Sequence, residues 1–123
     1  MQSYTPPDDR DAAQLWDMLQ AAWDAEAIAR DLTLERLEAD RRTQLALSKA
    51  LELVGEAAAR LSPEFRNREA SIDWVPIIGM RNRLVHEYWR INFGIVWDVA
   101  TSEIPALIAA LERLLPESPD AAL

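Results

Sequence analysis

The chain contains 123 residues, of which 50% are hydrophobic, and carries a formal net charge of −8. This length suits one domain with one core, and the absence of cysteine excludes a disulfide framework and a thiolate metal site. The acidic balance disfavours a general nucleic-acid binder, because lysine and arginine carry phosphate contacts. The polar segment Met1–Asp11 lacks the pattern of a signal peptide, and no apolar run approaches the roughly 20 residues that span a bilayer. We therefore expect a cytoplasmic protein without a membrane segment.

The first predicted helix follows a short tail. Residues 1–7 are expected to be disordered, because two adjacent prolines at the end of this segment prevent a helix from starting there. Asp8 or Asp9 can then cap a helix that runs to about Arg30. Its apolar residues fall three to five positions apart and predict one buried stripe, formed by Leu15, Trp16, Leu19, Trp23 and Ile28.

A second helical segment is predicted over residues 34–61, with Thr33 as its N-cap. The pattern leaves open whether this segment is one bent helix or two consecutive helices. Gly55 lies inside it, at a cost of about 1 kcal/mol relative to alanine. We expect this cost to be offset by the close approach of a neighbouring helix backbone.

Two glutamates of this segment, Glu52 and Glu56, are four residues apart and therefore share one helix face. They could form half of a metal site, but no histidine or further acidic residue accompanies them locally. Arg60 follows Glu56 by one helical turn, so a surface ion pair is the favoured interpretation. We predict no metal site and no cofactor.

An arginine-rich segment, residues 64–71, is predicted as a loop that includes at most one helical turn. Asp73 is the expected N-cap of the next helix. This helix is predicted to run from about Val75 to Tyr88 or Trp89.

The last helix is predicted from about Phe93 to Leu115, and Pro105 should bend it. Residues 116–123 are expected to form a C-terminal tail, so that the domain spans residues 8–115. No segment shows the strict apolar alternation of a strand. The predicted fold is all-α, an antiparallel four- to five-helix bundle.

The residues with the most chemical potential lie between Arg81 and Tyr88. His86 is the only histidine of the chain, and histidine is the side-chain type best suited to proton exchange near neutral pH. The stretch lies within residues 60–90, where six arginines outnumber four acidic residues, so this window is positive in an acidic chain. A lone histidine near a helix end is also a common surface residue. An acid–base group beside guanidinium donors nevertheless favours chemistry on a phosphate ester.

Helical geometry constrains how these residues could act. Arg81 and Tyr88 are seven residues apart and would point the same way, whereas Arg81 and His86 would diverge by about 140°. Either the helix loosens near His86, or the site forms where two copies of the helix meet. A two-fold dimer would bring two histidines and two arginines to one cleft. Attack by the 2′-hydroxyl of RNA needs one base and one acid, so such a cleft would need no metal.

The spacing of Arg81, His86 and Tyr88 resembles the signature of the HEPN superfamily, with four residues before the histidine and one after it. More specifically, the chain resembles HepT-type toxins paired with a minimal nucleotidyltransferase antitoxin, MntA. Asn82 fits the polar position that follows the arginine in that family. Further segments extend the resemblance over roughly residues 34–115, namely Val54–Ala58, Asp73–Trp74, Ile78–Asn82, Ile95–Trp97 and Ile104–Leu107.

The resemblance implies a HEPN-like bundle that forms a homodimer with its motif helices facing a shared cleft. It assigns metal-independent RNA cleavage to Arg81 and His86, with Asn82 as the accessory polar residue. Tyr88 matches the tyrosine that the antitoxin modifies with AMP, which would place negative charge and bulk in the cleft. The implied function is the ribonuclease toxin of a type VII toxin–antitoxin system, with tRNA as the expected substrate class.

Neighbouring residues have weaker assignments. Arg83 and Arg90 are candidate RNA contacts, although Arg83 is also spaced to pair with Glu87. Trp89 could stack on a base, but packing is the favoured role for the five tryptophans. The alternative function is a non-catalytic HEPN module that docks on a nucleotidyltransferase and positions its substrate.

Overall fold

The computed structural model describes residues 5–115 and is helical, without a β-strand in that range, which confirms the all-α fold class. The predicted tail at 116–123 and the first four residues of the predicted N-terminal tail lie outside the described residues. The helices are α1 (Asp9–Arg30), α2 (Leu34–Ala39), α3 (Arg41–Arg60), α4 (Pro63–Arg68), α5 (Trp74–His86), α6 (Phe93–Asp98) and α7 (Ile104–Leu114). A 3-10 turn (Tyr88–Arg90) follows α5, and a π-helical segment (Val99–Glu103) joins α6 to α7.

Helices α1 and α3 form an antiparallel pair at the centre of the core. Asp8 caps α1 as predicted, because its Oδ1 accepts the Asp11 N–H at 2.8 Å. Ser62, just beyond α3, donates its N–H and its hydroxyl to the Asp11 carboxylate at 2.8 and 2.7 Å. The start of α1 therefore meets the end of α3, through a carboxylate that is only 5% exposed. The buried stripes of the two helices include Leu15, Met18, Leu19, Ala22, Leu47, Leu51, Val54 and Ala58.

Two short helices precede and follow α3. Thr33 caps α2 as predicted, and Asp40 separates α2 from α3, so of the two alternatives left open the structure has two consecutive helices. The Asp40 carboxylate accepts the Arg42 N–H and the Thr43 hydroxyl. The Thr43 hydrogen bond is the main reason that the pKa of Asp40 is lowered.

Helix α4 corrects the prediction of a loop over residues 64–71. Ser62 accepts the Phe65 N–H at 3.1 Å, and Pro63 occupies the first turn, so the chain begins a new helix where the previous one ends. Phe65 is buried, which anchors this six-residue helix to the core. The sequence did not predict this helix, because six residues are too few to show an apolar periodicity.

Helix α5 ends earlier than predicted. It runs from Trp74 to His86, and Asp73 occupies the N-cap position without making a side-chain capping bond. Glu87 leaves helical geometry (φ −131°, ψ 36°), and the 3-10 turn begins at Tyr88. The prediction that the helix includes Tyr88 or Trp89 is therefore wrong. Helices α3 and α5 pack against each other, and this contact positions the motif.

The last helical stretch contains an internal irregularity. The π-helical segment ends two residues before Pro105, whose ring removes one backbone donor. By length and composition alone, Phe93–Leu114 could also span a membrane. Its buried stripe nevertheless belongs to the hydrophobic core of the bundle and comprises Val96, Ala100, Ile104, Leu107 and Leu111, all at most 3% exposed.

Candidate active site

The site is built where α3 crosses α5 at Gly55. A Cβ atom at Gly55 would overlap the Arg81 Cβ and would lie 2.9 Å from the Ile77 carbonyl oxygen. Both obstacles belong to or adjoin the α5 backbone, so neither can rotate away. The predicted close approach at Gly55 is therefore confirmed, and the approaching segment is the one that carries Arg81.

The Arg81 guanidinium is held on two sides. Its Nη2 donates to the Glu56 Oε1 at 3.1 Å, and its Nη1 donates to the Asn82 Oδ1 at 3.0 Å. The Arg81 Nε is buried and has no hydrogen-bond partner among residues 5–115. The Arg81 side chain is 28% exposed, so it remains partly accessible from solvent. Such a group can receive a phosphate oxygen without first being reoriented.

Glu56 is the residue that sequence reasoning underestimated. The predicted pair with Arg60 is present at 3.9 Å, but the shorter ion pair is with Arg81. The Arg81 hydrogen bond is the main cause that lowers the pKa of Glu56, with Arg60 adding to the effect. Glu52 instead pairs with Lys49 at 3.6 Å. Within the described range, no group of three potential metal-ligating side chains includes these glutamates.

His86 is the last residue of α5, and its side chain is exposed. It makes no hydrogen bond or ion pair with any other residue in the 5–115 range. The helix is regular through His86, and the loosening begins only at Glu87. Arg81 and His86 therefore keep their helical divergence of about 140°. Arg81 faces α3, and a single chain does not direct both groups at one point.

Tyr88 lies beyond the end of α5, so the helical spacing on which its predicted alignment with Arg81 rested does not extend to it. The Tyr88 ring lies instead beneath the guanidinium of Arg41, whose Cζ is 5.3 Å from the ring centroid. The Tyr88 hydroxyl is buried and has no partner within the described part of the chain. Arg41 is a second residue that the sequence analysis missed, because it lies 47 positions away at the start of α3.

Arg83 and Arg90 are both exposed and line one groove together with Glu87. The predicted ion pair between Arg83 and Glu87 is absent from residues 5–115, although the Glu87 N–H still donates to the Arg83 carbonyl oxygen at 2.8 Å. Both guanidiniums are thus available to an anionic ligand. Trp89 is 79% exposed, so the favoured packing role is wrong for this tryptophan, whereas Trp74 is buried as expected. Trp23 is 41% exposed, so its predicted place in the buried stripe of α1 is also wrong.

The arrangement comprises an exposed imidazole, a fixed guanidinium and further free arginines along one connected stretch. The sequence signals for the α3 contribution were Gly55, which predicted a close approach, and the resemblance of Val54–Ala58 to a HEPN segment. A glycine permits close approach of a neighbouring helix but does not identify which residue beside it makes a contact. The imidazole can donate and accept protons, and the guanidiniums can stabilise charge on a phosphate.

Comparisons with known proteins identify the family. A family model described as "Ribonuclease HepT-like" matches residues 18–114. The chain is 30% identical over 105 residues to "Putative RNase MJ0127" of Methanocaldococcus jannaschii, covering 85% of this chain and 87% of that protein. It is also 30% identical over 100 residues to "Probable ribonuclease HepT" of Thermococcus cleftensis, covering 81% and 91% respectively. No solved structure matches the chain significantly. The resemblance inferred from the motif is confirmed, and the chain belongs to the HepT-like ribonuclease family.

Proposed function

We propose that this chain is a metal-independent endoribonuclease of the cytoplasm, with Arg81, Asn82 and His86 as its catalytic group. The observation that carries the proposal is the exposed imidazole at the end of α5, five residues after a guanidinium fixed by Glu56 and Asn82. Membership of a ribonuclease family supports the same chemistry.

The proposed reaction is intramolecular transesterification of RNA. A base removes the proton of the 2′-hydroxyl, and the resulting oxygen attacks the adjacent phosphorus. The bond to the 5′ oxygen breaks, and an acid gives that oxygen a proton, which leaves a 2′,3′-cyclic phosphate. An imidazole can serve either proton transfer, and the Arg81 guanidinium stabilises the charge that gathers on the phosphate oxygens.

A second copy of the chain completes the site in this proposal. One chain supplies one imidazole, and its Arg81 and His86 diverge along α5, so a homodimer with motif helices facing a shared cleft would supply both proton-transfer groups. Exposed apolar side chains flank His86 in the chain and support an interface there: Val85 is 40% exposed and Trp89 is 79% exposed.

The RNA strand would be guided by the free arginines of the 3-10 region. Arg83 and Arg90 have no ion-pair partner among residues 5–115 and share a groove beside the motif helix. Arginine binds phosphate bidentately, so these two side chains suit the phosphates that flank the cleaved bond. Structured RNA such as tRNA is the proposed substrate class.

We further propose that the chain is the toxin of a type VII toxin–antitoxin pair. Its partner would be an MntA-like nucleotidyltransferase that transfers AMP to the Tyr88 hydroxyl. Each AMP group adds a negatively charged phosphate and a bulky nucleoside beside the arginines that would bind RNA. Because the Tyr88 hydroxyl is buried in the single chain and the Arg41 guanidinium lies over its ring, the transfer requires local rearrangement around Tyr88.

The function is tested with the purified chain, RNA and EDTA. Wild type should cleave, and His86→Ala should lose at least about 100-fold in rate, as expected when a proton-transfer group is removed. His86 is exposed, so the variant should remain folded and should still bind the nucleotidyltransferase. A folded, unmodified wild type that cuts no RNA would favour the alternative function, a docking module that positions substrates for its partner.

The shared cleft is tested by mixing subunits. If both imidazoles of a dimer are needed, equal amounts of wild type and His86→Ala should give about a quarter of the wild-type activity, because only wild-type homodimers would be active. Independent sites would give about half. The subunits must first be exchanged under conditions that dissociate the dimer.

A further inference from the structure

We propose that Glu56 is a positioning residue for Arg81: its carboxylate fixes the orientation of the guanidinium that receives the phosphate. The expected effect on RNA cleavage rests on the proposed function, whereas the orientation of Arg81 by Glu56 does not. Nothing in the motif of α5 itself specifies this contribution from α3.

The geometry singles out Glu56 among the acidic residues of α3. Gly55 lets the α5 backbone approach so closely that the Arg81 Cβ lies against α3. Glu56, the next residue, then reaches the Arg81 Nη2 at 3.1 Å. The close approach at Gly55 thus places the Arg81 Cβ, and the Glu56 carboxylate places the Arg81 guanidinium.

The hydrogen bonds of Arg81 leave a defined part of the guanidinium free. Nη2 binds Glu56 and Nη1 binds Asn82, so each of these nitrogens keeps one further N–H. The Nε–H is buried without a partner in the described chain. Rotation about the last side-chain bonds would break both contacts, so the remaining N–H groups point in a fixed direction, which suits a transition state better than a mobile side chain does.

The contact also involves a charge that is present at neutral pH. The Arg81 hydrogen bond lowers the pKa of Glu56, with further help from Arg60 and Lys49, so the carboxylate is ionised there. The orientation by Glu56 depends mainly on an acceptor oxygen, whereas its negative charge partly offsets the attraction of Arg81 for phosphate. Glutamine keeps the oxygen and removes the charge, and alanine removes both.

Glu52 provides a matched control. It lies one turn earlier on α3, its side chain is 26% exposed against 28% for Glu56, and it pairs with Lys49 rather than with the motif. Glu56→Ala should lower kcat for RNA cleavage about 10- to 100-fold with little change in KM, as expected when a reacting group is misplaced. Glu56→Gln should recover most of kcat, and Glu52→Ala should behave as wild type.

A double-mutant cycle separates positioning from a general effect on the fold. In the Arg81→Ala background, Glu56→Ala should cause no further loss of kcat, because the residue acts through Arg81. Full additivity of the two losses would overturn the proposal, as would a Glu56→Gln variant as impaired as Glu56→Ala.

A measurement independent of cleavage keeps this inference distinct from the proposed function. Side-chain nitrogen NMR should show hindered rotation of the Arg81 guanidinium in wild type and Glu56→Gln, and free rotation in Glu56→Ala. If wild type shows this hindrance but cuts no RNA, the proposed function fails and the orientation by Glu56 stands. A freely rotating Arg81 in wild type would refute the inference itself.

Discussion

Replacing Gly55 by alanine tests the helix crossing that places Arg81. In an exposed helix interior this change would stabilise the protein by about 1 kcal/mol. Here the new Cβ would overlap the Arg81 Cβ and would lie 2.9 Å from the Ile77 carbonyl oxygen and 3.0 Å from the Arg81 Cγ. Since comfortable carbon contacts are about 3.5–4.0 Å, α3 and α5 must separate by on the order of 1 Å.

The two effects have opposite signs, and the steric effect should be larger. Overpacking against groups that cannot rotate away costs about 1–3 kcal/mol, and this contact falls at the upper end because it involves backbone. After subtracting the gain in helix propensity, we expect a net loss of about 2 kcal/mol in the free energy of unfolding, or a fall of roughly 8 °C in Tm. A displacement of about 1 Å at Arg81 should lower RNA cleavage by about 100-fold.

Urea denaturation and cleavage in EDTA measure the two consequences separately. Gly79→Ala is the matched stability control, because it makes the same change in the interior of α5 where no atom lies within 4 Å of the new Cβ. It should stabilise the chain by up to about 1 kcal/mol. A Gly55→Ala variant as stable as wild type, with full cleavage activity, would refute the reasoning about the crossing.

Three further changes test other parts of the account. Asp11→Ala should cost about 2 kcal/mol in urea denaturation, because it leaves the Ser62 N–H and hydroxyl without their acceptor. Glu56→Gln should lower Tm relative to wild type at neutral pH. Because folding lowers the pKa of Glu56, this difference in Tm should shrink as the pH falls below about 4.5, the ordinary pKa of a glutamate. Arg41→Ala should accelerate AMP transfer to Tyr88 several-fold, measured by mass spectrometry with the cognate nucleotidyltransferase, because the covering guanidinium is gone.

Each of these predictions has a contradicting result. An Asp11→Ala variant with wild-type stability would mean that water replaces the Ser62 contacts at no cost. A Tm difference for Glu56→Gln that is independent of pH would exclude the charged pair as its source. Arg42→Ala changes the next arginine of α3, which does not cover the tyrosine, and an equal acceleration in that variant would exclude a specific role for Arg41.

Local sequence patterns predicted the helices best where a cap and an apolar stripe coincide. Asp8 and Thr33 marked helix starts correctly, because capping depends on a side chain and a backbone only three residues apart. The end of α5 was misplaced, since nothing in the residue types at Glu87 prevents continued helix. Beyond that boundary Tyr88 contacts Arg41, which lies 47 residues earlier and is not visible in the local pattern.

The residues of the candidate site were likewise predicted only in part. The motif on α5 was accessible because Arg81 and His86 are close in sequence and chemically distinctive. Glu56 lies 25 residues before Arg81 and becomes its neighbour only through the packing of α3 against α5. Gly55 indicated a close approach but not its partner, because a glycine shows only that another backbone can come close and does not identify the residue that does so.

Arg81 and His86 are proposed to promote attack by the 2′-hydroxyl without a metal. The most direct test uses matched RNA strands in EDTA, one unmodified and one with a 2′-O-methyl group at the mapped cleavage position. We expect wild type to cut only the unmodified strand and to leave a 2′,3′-cyclic phosphate, with little product from Arg81→Ala or His86→Ala. Cleavage of the methylated strand, or undiminished cleavage by His86→Ala, would contradict the account.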